Sequence, residues 1–464
     1  MQLISGHTVN HAPPVPSPVS GDLKALRVFF RSLQYKPIPD DLRKMFFAHE
    51  ALPDDWIEKK LSPTTIQVLL ENGFLKRAND QISAEFNLQF CQGLVLFSDL
   101  MKYADCMDFV LPVGPASQQL ARLAVRQPIE AALDMGCGAG IQALLASRHA
   151  RNVVATDINP RALEFTRLNA DLNGITNIET AHGSLFEPAR GRKFDLILFN
   201  PPYILSPTRR GGQHYAFSGN DGYLHEVLRT LPEYMNEGGY AQMTINWVHA
   251  GKEPWQIPLE KTLAGKGVDT LLIYHGSLSP VQYAKFWTEH RIGMKYLLMK
   301  RGWTIAKWTA WCWLRHIERV GFGAIVLRRR KNGVNWFRTE RVRRSFGDSV
   351  NNQIHYLFEN HDYLLLHPVH AEIMKEQLKL INFTQLKDPK ANMGRFETLA
   401  GVHFPMQIHN ISWQILEQMD GSVDANTIVN GVAQSIGLSL ETIKPWVTED
   451  LINLFRFGWL HIHP

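Results

Sequence analysis

The sequence predicts an open α/β domain built on a parallel sheet, and three observations predict it. One strand-like apolar run ends at the glycine turn Gly136-Cys137-Gly138-Ala139-Gly140. A second ends at an acid, Asp157, and a third at Asn200-Pro201-Pro202-Tyr203. Helical segments separate the runs. In open sheets of this kind ligands bind beyond the carboxyl ends of the strands. All three features are therefore expected on one edge.

The first strand, 129–134, runs straight into the glycines, which allow a tight turn and a close backbone approach to a ligand. A helix starting near Ile141 would offer its unpaired N–H groups there. The second strand, 152–156, places Asp157 about twenty residues past the glycines, where a carboxylate can accept hydrogen bonds from both hydroxyls of a ribose. The plainer role for Asp157 is to cap the helix that begins at Pro160, and the two roles are compatible. That helix runs to Asn173 with Gly174 closing it. A third strand near 178–181 leads to His182-Gly183-Ser184-Leu185-Phe186, and a fourth, 194–199, leads to Asn200.

Two prolines after Asn200 fix φ and remove backbone donors, so only acceptors remain. The Asn200 side-chain oxygen and the next carbonyl suit a planar NH2 group, and Tyr203 supplies a flat face for stacking. Residues 204–220, rich in Gly, Ser, Arg and Pro, are expected to form a lid or a solvated loop, with Arg209 and Arg210 as substrate contacts. A helix at 224–231 and strands at 239–246, 268–274 and 323–327 would complete seven strands. Trp287, Trp303, Trp308, Trp311 and Trp313 fall in a helical insertion, where their spacing reads as core. His182, His214 and His225 are given no specific role.

At 464 residues the chain is too long for one ordinary core, and two or three domains are expected. With 45% apolar and 20% charged residues it reads as globular, and no apolar run is long enough to span a bilayer. The first twenty residues lack a charged n-region and an apolar h-region, so a loose tail is expected and no secretory leader. Cys91, Cys106, Cys137 and Cys312 show no metal-ligand spacing, which points to free thiols in a reducing cytoplasm and to no metal. The net charge of +5 neither demands nor excludes an anionic partner.

The expected layout is a tail over 1–21 and a small helical, winged-helix-like domain over 22–105. The sheet domain follows over 106–330, with its insertion at about 278–318. A basic linker and helical segment then covers 331–400, and a second small winged-helix-like domain covers 401–464. For the N-terminal piece a packing role is favoured over DNA reading. The basic run Arg328, Arg329, Arg330, Lys331, Arg338, Arg341, Arg343 and Arg344, interleaved with Trp336 and Phe337, is open to single-stranded nucleic acid or to a solvated edge. The C-terminal piece is given helices at 411–416, from Ala425 and from Ser439, and a short strand at 457–460.

Leu133-Asp134-Met135-Gly136-Cys137-Gly138-Ala139-Gly140, then Asp157, then Asn200-Pro201-Pro202-Tyr203 together resemble the class I S-adenosylmethionine-dependent methyltransferases. Among these the chain is most similar to the release-factor glutamine methyltransferase group. Gly219-Asn220-Asp221-Gly222-Tyr223 adds to that likeness, which covers about 108–247. The resemblance implies a seven-stranded Rossmann-like methyltransferase sheet with helices on both faces, and S-adenosyl-L-methionine as cofactor. It implies cofactor contacts from Asp134, Gly136, Cys137, Gly138, Gly140, Asp157, Ile158, Ser184, Leu185 and Asn200. Catalysis would rest on Asn200, Pro201, Pro202 and Tyr203. The group commonly has an acidic residue where this chain has Ser184, so Ser184 or a nearby carbonyl would meet the adenine amino group.

The implied reaction is N-methylation of a planar nitrogen, with a Gln or Asn side-chain amide of a protein or peptide as first choice. A base amino group of RNA or DNA is the second, and a non-catalytic binding protein with the same core is the third. A nicotinamide dehydrogenase is disfavoured, because Ile141 stands where the last fingerprint glycine belongs. Neither the methylated molecule nor the oligomeric state is legible in the sequence.

Overall fold

The computed structural model describes residues 12–35, 37–104, 106–202, 204–205, 207, 216–217, 222–250, 253–289, 301–331, 333–342, 346–347, 350–367, 370–381, 393–396 and 406–463. By contact density the chain divides into two units. The first takes Met1–Ala121, Gln127–Leu272 and Gly276–Phe337, and the second takes Arg122–Arg126, Ile273–His275 and Arg338–Pro464.

The first unit is built on the predicted sheet. Its strands are β1 (Ile129–Met135), β2 (Ala150–Asp157), β3 (Ile178–His182), β4 (Phe194–Phe199), β5 (Met235–Ala250), β6 (Val268–Leu278) and β7 (Ile317–Arg329). Their order across the sheet is β3-β2-β1-β4-β5-β7-β6, and Phe337–Arg341 pairs beyond β6 as an eighth strand. The first five run parallel, while β7 is antiparallel to β5. The fold is therefore a Rossmann-like α/β sheet flanked by helices, with one strand more than the sequence suggested. Strand order reverses at β1, which opens a crevice at the carboxyl ends of β1 and β4. The last three strands are longer than their apolar runs, because β5 and β7 continue as a two-stranded ribbon past the end of β4.

Three helices matter for the site: α1 (Pro115–Leu123), α2 (Ile141–Ala146) and α3 (Pro160–Asn173). Asn159, not Asp157, caps α3, accepting a hydrogen bond from the Arg161 N–H at 3.1 Å. Gly174 ends it in the left-handed region, as Gly closing a helix usually does.

The N-terminal residues form helices Ser20–Tyr35, Asp40–Phe47, Asp54–Glu58 and Pro63–Glu71. The last is capped by Ser62, whose hydroxyl accepts from the Thr65 N–H at 3.2 Å. A three-stranded antiparallel sheet follows from Leu52–Pro53, Gln81–Ala84 and Leu75–Ala78. The hairpin Phe86–Cys91 with Leu94–Asp99 completes the segment. Phe30, Phe74, Phe86 and Phe97 share one apolar core with Ile141, Leu144, Phe165 and Leu168 of α2 and α3.

Polar contacts fix this packing. Asn169 donates to the carbonyls of Phe97 and Ala139, each at 2.9 Å, and accepts from the Phe97 N–H at 2.8 Å. One helical turn on, Asn173 pairs with Val95 in the same way, at 2.7 and 3.0 Å. The edge of strand Leu94–Asp99 thus completes its hydrogen bonds on helix side chains. Below it, Asp99 and Arg161 form a bidentate buried pair at 2.6 and 3.0 Å, and Asp99 also accepts from the Val110 N–H at 2.8 Å.

The second unit packs Val350–Leu366, Asn410–Leu416, Ala425–Ser435 and Leu440–Arg456 around a small sheet. That sheet has Gln377–Leu380 between Asp420–Asp424 and Leu460–Ile462. Its closing strand starts at Leu460, three residues later than the apolar run suggested, because Phe457 caps the preceding helix and Gly458 turns with φ +71°. Buried Asp450 accepts from the His409 N–H at 2.8 Å and the Ser412 hydroxyl at 2.5 Å, tying one helix start to another helix.

Removing one member of a buried ion pair strands the other, at a cost of about 3–5 kcal/mol. Asp99→Ala is therefore expected to lose that much in urea unfolding, and Asp99→Leu with Arg161→Met to regain most of it. A loss in the single variant no larger than that of an exposed pair, about 1 kcal/mol or less, would show that the pair does not hold the hairpin.

Candidate active site

Register alone assembles the site. Met135 pairs with Thr156 on one side and Phe199 on the other, and Phe199 pairs with Met243. The next residue on each strand is Asp157, Gly136, Asn200 and Thr244. They stand in a row along the carboxyl edge, one strand spacing apart, so about 10 Å separates Asp157 from Asn200. His182 extends the row, paired with Asp157 across β2 and β3.

The glycine turn closes over this row. Gly140 lies at φ +83°, and a Cβ there would come within 2.8 Å of Leu144 and 2.9 Å of Thr166. It needs glycine for conformation and for space. At Gly138, φ +55°, a Cβ would meet nothing within 4 Å, so the backbone faces an open cradle. The Gly138 N–H donates to Asp157 at 2.9 Å, and the Asn159 N–H donates to the other carboxylate oxygen at 2.8 Å. The half-buried Asp157 carboxylate is thereby held at the cradle rim. Next to it Ile158 is 51% exposed, an apolar surface at the strand end. The His182 ring lies 3.0 Å from the Ile158 carbonyl, which gives that histidine a structural place in the same turn.

Cys137 points inward. Its thiol is buried, accepts from the Thr166 hydroxyl at 3.3 Å, and is pushed well above the usual thiol range by burial. It contributes to the site through its backbone. Asp134 is also buried, one turn below, where it accepts from the Ala143 N–H of α2 at 2.9 Å. Burial pushes its carboxyl up to about 7, the Ala143 bond opposes the shift, and the negative charge of Asp157 adds to it.

Asn200 is clamped at both ends of its amide. Its Nδ2 donates to the Ser117 hydroxyl of α1 at 3.0 Å, and its Oδ1 accepts from the Thr244 hydroxyl of β5. Gln142 of α2 steadies the first contact by donating to the Ser117 carbonyl at 2.8 Å. An amide oxygen has two lone pairs and its nitrogen two donors, so one of each remains after these bonds. Ser117, Gln142 and Thr244 were not singled out in the sequence, since an isolated Ser, Gln or Thr carries no motif. Pro201 is buried and Pro202 half-buried beyond Asn200. Tyr203 lies outside the described residues, as do Arg209, Arg210 and Gly219-Asn220-Asp221.

Ser184 and Leu185 sit apart from that row, past β3. They line a cavity of about 240 Å³ together with Phe186, Glu187, Arg190, Glu226 and Tyr234. Leu185 adopts φ +50°, rare for a residue with a side chain, and Phe186 stacks on Tyr234 at 4.6 Å. Three arginines of the basic run that begins at the end of β7 are paired within the fold. Arg328, 5% exposed in its side chain, and Arg330 both pair with buried Asp269, at 3.1 and 3.0 Å. Arg338 pairs with Glu340 at 2.5 Å. Arg343 and Arg344 lie outside the described residues.

A carboxyl whose pKa is raised by folding stabilises the fold only while protonated. The contribution of Asp134 is therefore complete below about pH 4 and is lost as pH rises to 7. Asp134→Asn keeps an oxygen for the Ala143 N–H and carries no charge. Its melting temperature is expected to gain on the parent steadily between pH 4 and pH 7 and to hold that gain above. A gap that is constant across this range in thermal melts would contradict the assignment.

Comparison with known proteins finds its similarities over the stretch that holds this row. Residues 113–246 match the family described as the methyltransferase small domain. A Methanocaldococcus jannaschii protein provisionally named a protein N5-glutamine methyltransferase is 37% identical over 130 residues, 26% of this chain and 64% of the relative. A ribosomal protein uL3 glutamine methyltransferase of Bradyrhizobium diazoefficiens is 36% identical over 24% of this chain and 39% of the relative. A release factor glutamine methyltransferase of Geobacter sulfurreducens is 34% identical over 25% of this chain and 45% of the relative. The chain thus spans less than two thirds of each of these relatives. The matched stretch begins at Val113, just before the helix that carries Ser117, and ends at Asn246, just past Thr244. Residues 113–246 are thus the part of the chain that is similar to the methyltransferase small domain, and they hold the whole row.

Proposed function

We propose that the chain transfers a methyl group from S-adenosyl-L-methionine to the side-chain amide nitrogen of a Gln or Asn in a protein. The observation that carries this reading is the clamped Asn200 amide, held in one row with the glycine cradle and Asp157. The names of the similar proteins, which refer to protein glutamine, support it.

The residues present fit the cofactor. The open cradle at Gly138 admits a ligand against the backbone, and Asp157 is fixed where a ribose diol would be bound. Ile158 offers an apolar surface beside it. When bound, the cofactor supplies an electrophilic methyl on a sulfonium.

The chain's own work lies on the acceptor side. An amide nitrogen is a poor nucleophile, because its lone pair is delocalised into the carbonyl. Asn200 Oδ1 and the Pro201 carbonyl accept the two N–H bonds of the substrate and fix its plane. Orientation of this kind can contribute up to roughly 7–11 kcal/mol. The same two acceptors face the positive charge that develops on nitrogen as the new bond forms. Thr244 and Ser117 hold the acceptor still, so no reorganisation is needed at the moment of transfer. No residue removes a proton first; the surplus proton on the methylated nitrogen leaves to water after transfer.

The nucleic-acid alternative draws less from the basic run once Arg328 and Arg330 pair with Asp269 and Arg338 with Glu340.

Radiolabelled methyl from the cofactor, transferred into a cell lysate, is expected to enter protease-sensitive and nuclease-resistant material. Asn200→Ala should lower that transfer about 10²–10³-fold, a far larger loss than any weakening of S-adenosylhomocysteine binding in calorimetry, because the glycine cradle and Asp157 remain. Full turnover in that variant would exclude the mechanism. Thr244→Val keeps shape and loses the hydroxyl, so turnover should fall about five- to tenfold, and Thr244→Ser should restore it. Equal rates for the two Thr244 variants would show that the hydroxyl does not position Asn200.

A further inference from the structure

Among the described residues between β6 and β7 are two helices, α4 (Pro280–Glu289) and α5 (Arg301–Leu314). They stand at the mouth of the site. Residues 244–250 of β5 pair with β7 beyond the end of β4, a ribbon that reaches about 20 Å past Asn200. The insertion joins this ribbon where β7 begins at Ile317. It also grips the chain just after the Asn-Pro-Pro turn: the Leu205 N–H donates to the Tyr283 hydroxyl at 2.9 Å, and Leu205 packs with Tyr283, Trp308 and Trp311.

The sequence reading of these tryptophans as core holds for only part of them. Trp308, Trp311 and Cys312 are buried, whereas Trp303 is 66% and Trp313 74% exposed. Trp303, Ala306, Ala310 and Trp313 follow i, i+3, i+7, i+10 spacing, so they lie on one outward stripe of α5, with exposed Leu314 beside it. A helix that is apolar on both faces has a second partner. Two tryptophans flanking two alanines leave a shallow groove between large anchors, the composition of an interface centre.

The rim of the stripe is cationic. Lys307 lies 5.3 Å over the Trp303 ring, and Arg315 follows exposed Leu314 at the end of the stripe. Residues 302–316 hold Lys307 and Arg315 and no acidic residue.

We propose that this stripe docks an acidic, amphipathic helical segment of the methyl-acceptor protein, laid apolar face inward between Trp303 and Trp313. This rests on the protein-amide reading above. The occupant's chemistry follows from the stripe and its rim. A nucleic acid would not need a continuous apolar groove, and an acidic helix satisfies groove and cations together.

The test uses the full-length protein and a fluorescent acidic helical peptide with leucines on one face, followed by anisotropy. The expected result is binding that Trp303→Ala with Trp313→Ala weakens about tenfold or more, and that Lys307→Glu also weakens. A lysine-bearing twin with the same leucines should bind more weakly. Titration of S-adenosylhomocysteine on the same samples reports the cofactor site separately, and it should be unchanged in every variant. Three results would overturn the proposal. The acidic peptide fails to bind, it binds the double variant as tightly as the parent, or a polyuridine strand or phosphatidylserine vesicles displace it.

Discussion

The pairing of Phe199 with Met135 on one side and Met243 on the other is the constraint on which the site depends. A strand's side chains alternate, so a slip of one residue would turn Asn200 away from its neighbours and bring Phe199 to the edge. Phe194, Leu196, Ile197, Leu198 and Phe199 are all buried, and that burial holds the register. The two prolines then end the strand and leave its last polar side chain facing the crevice. Glycine turn, acid and amide fall into line because three parallel strands stop at the same level.

Precision at Asn200 is supplied from outside its own strand. Ser117 reaches it from α1 and Thr244 from β5, while Gln142 connects α1 to the helix after the glycine turn. That helix is braced in turn by the N-terminal residues. Asn169 bonds both the hairpin strand and the Ala139 carbonyl within the glycine turn, and Phe97, Ile141, Leu144 and Phe165 share one core. The N-terminal segment therefore shares its apolar core with the two helices that flank the glycine turn.

Much of this was legible beforehand, for stated reasons. Buried strands announce themselves as short apolar runs, and Gly136, Gly138 and Gly140 are needed at positive φ, so the sheet and its cradle follow from residue types. What was not legible depends on residues distant in sequence. Ser117 and Thr244 became visible only when strand order brought them beside Asn200. The cap at Asn159 replaced the expected one at Asp157 because Asp157 is turned toward Gly138. Trp303 and Trp308 look alike in a sequence, and only the packing of α5 against α4 separates the exposed ring from the buried one. The arginines after β7 resembled a basic surface until Asp269, nearly sixty residues earlier, was seen to neutralise two of them.

The central claim is spatial: a fixed acceptor stands two strand spacings from the residue that would hold a ribose. Co-crystallisation with S-adenosylhomocysteine tests it most directly. The account predicts ribose hydroxyls on Asp157, the sulfur beside Asn200, and the Asn200 amide still bonded to Ser117 and Thr244. A ligand seated away from Gly138, or an Asn200 side chain rotated off Thr244 and out of the crevice, would contradict it.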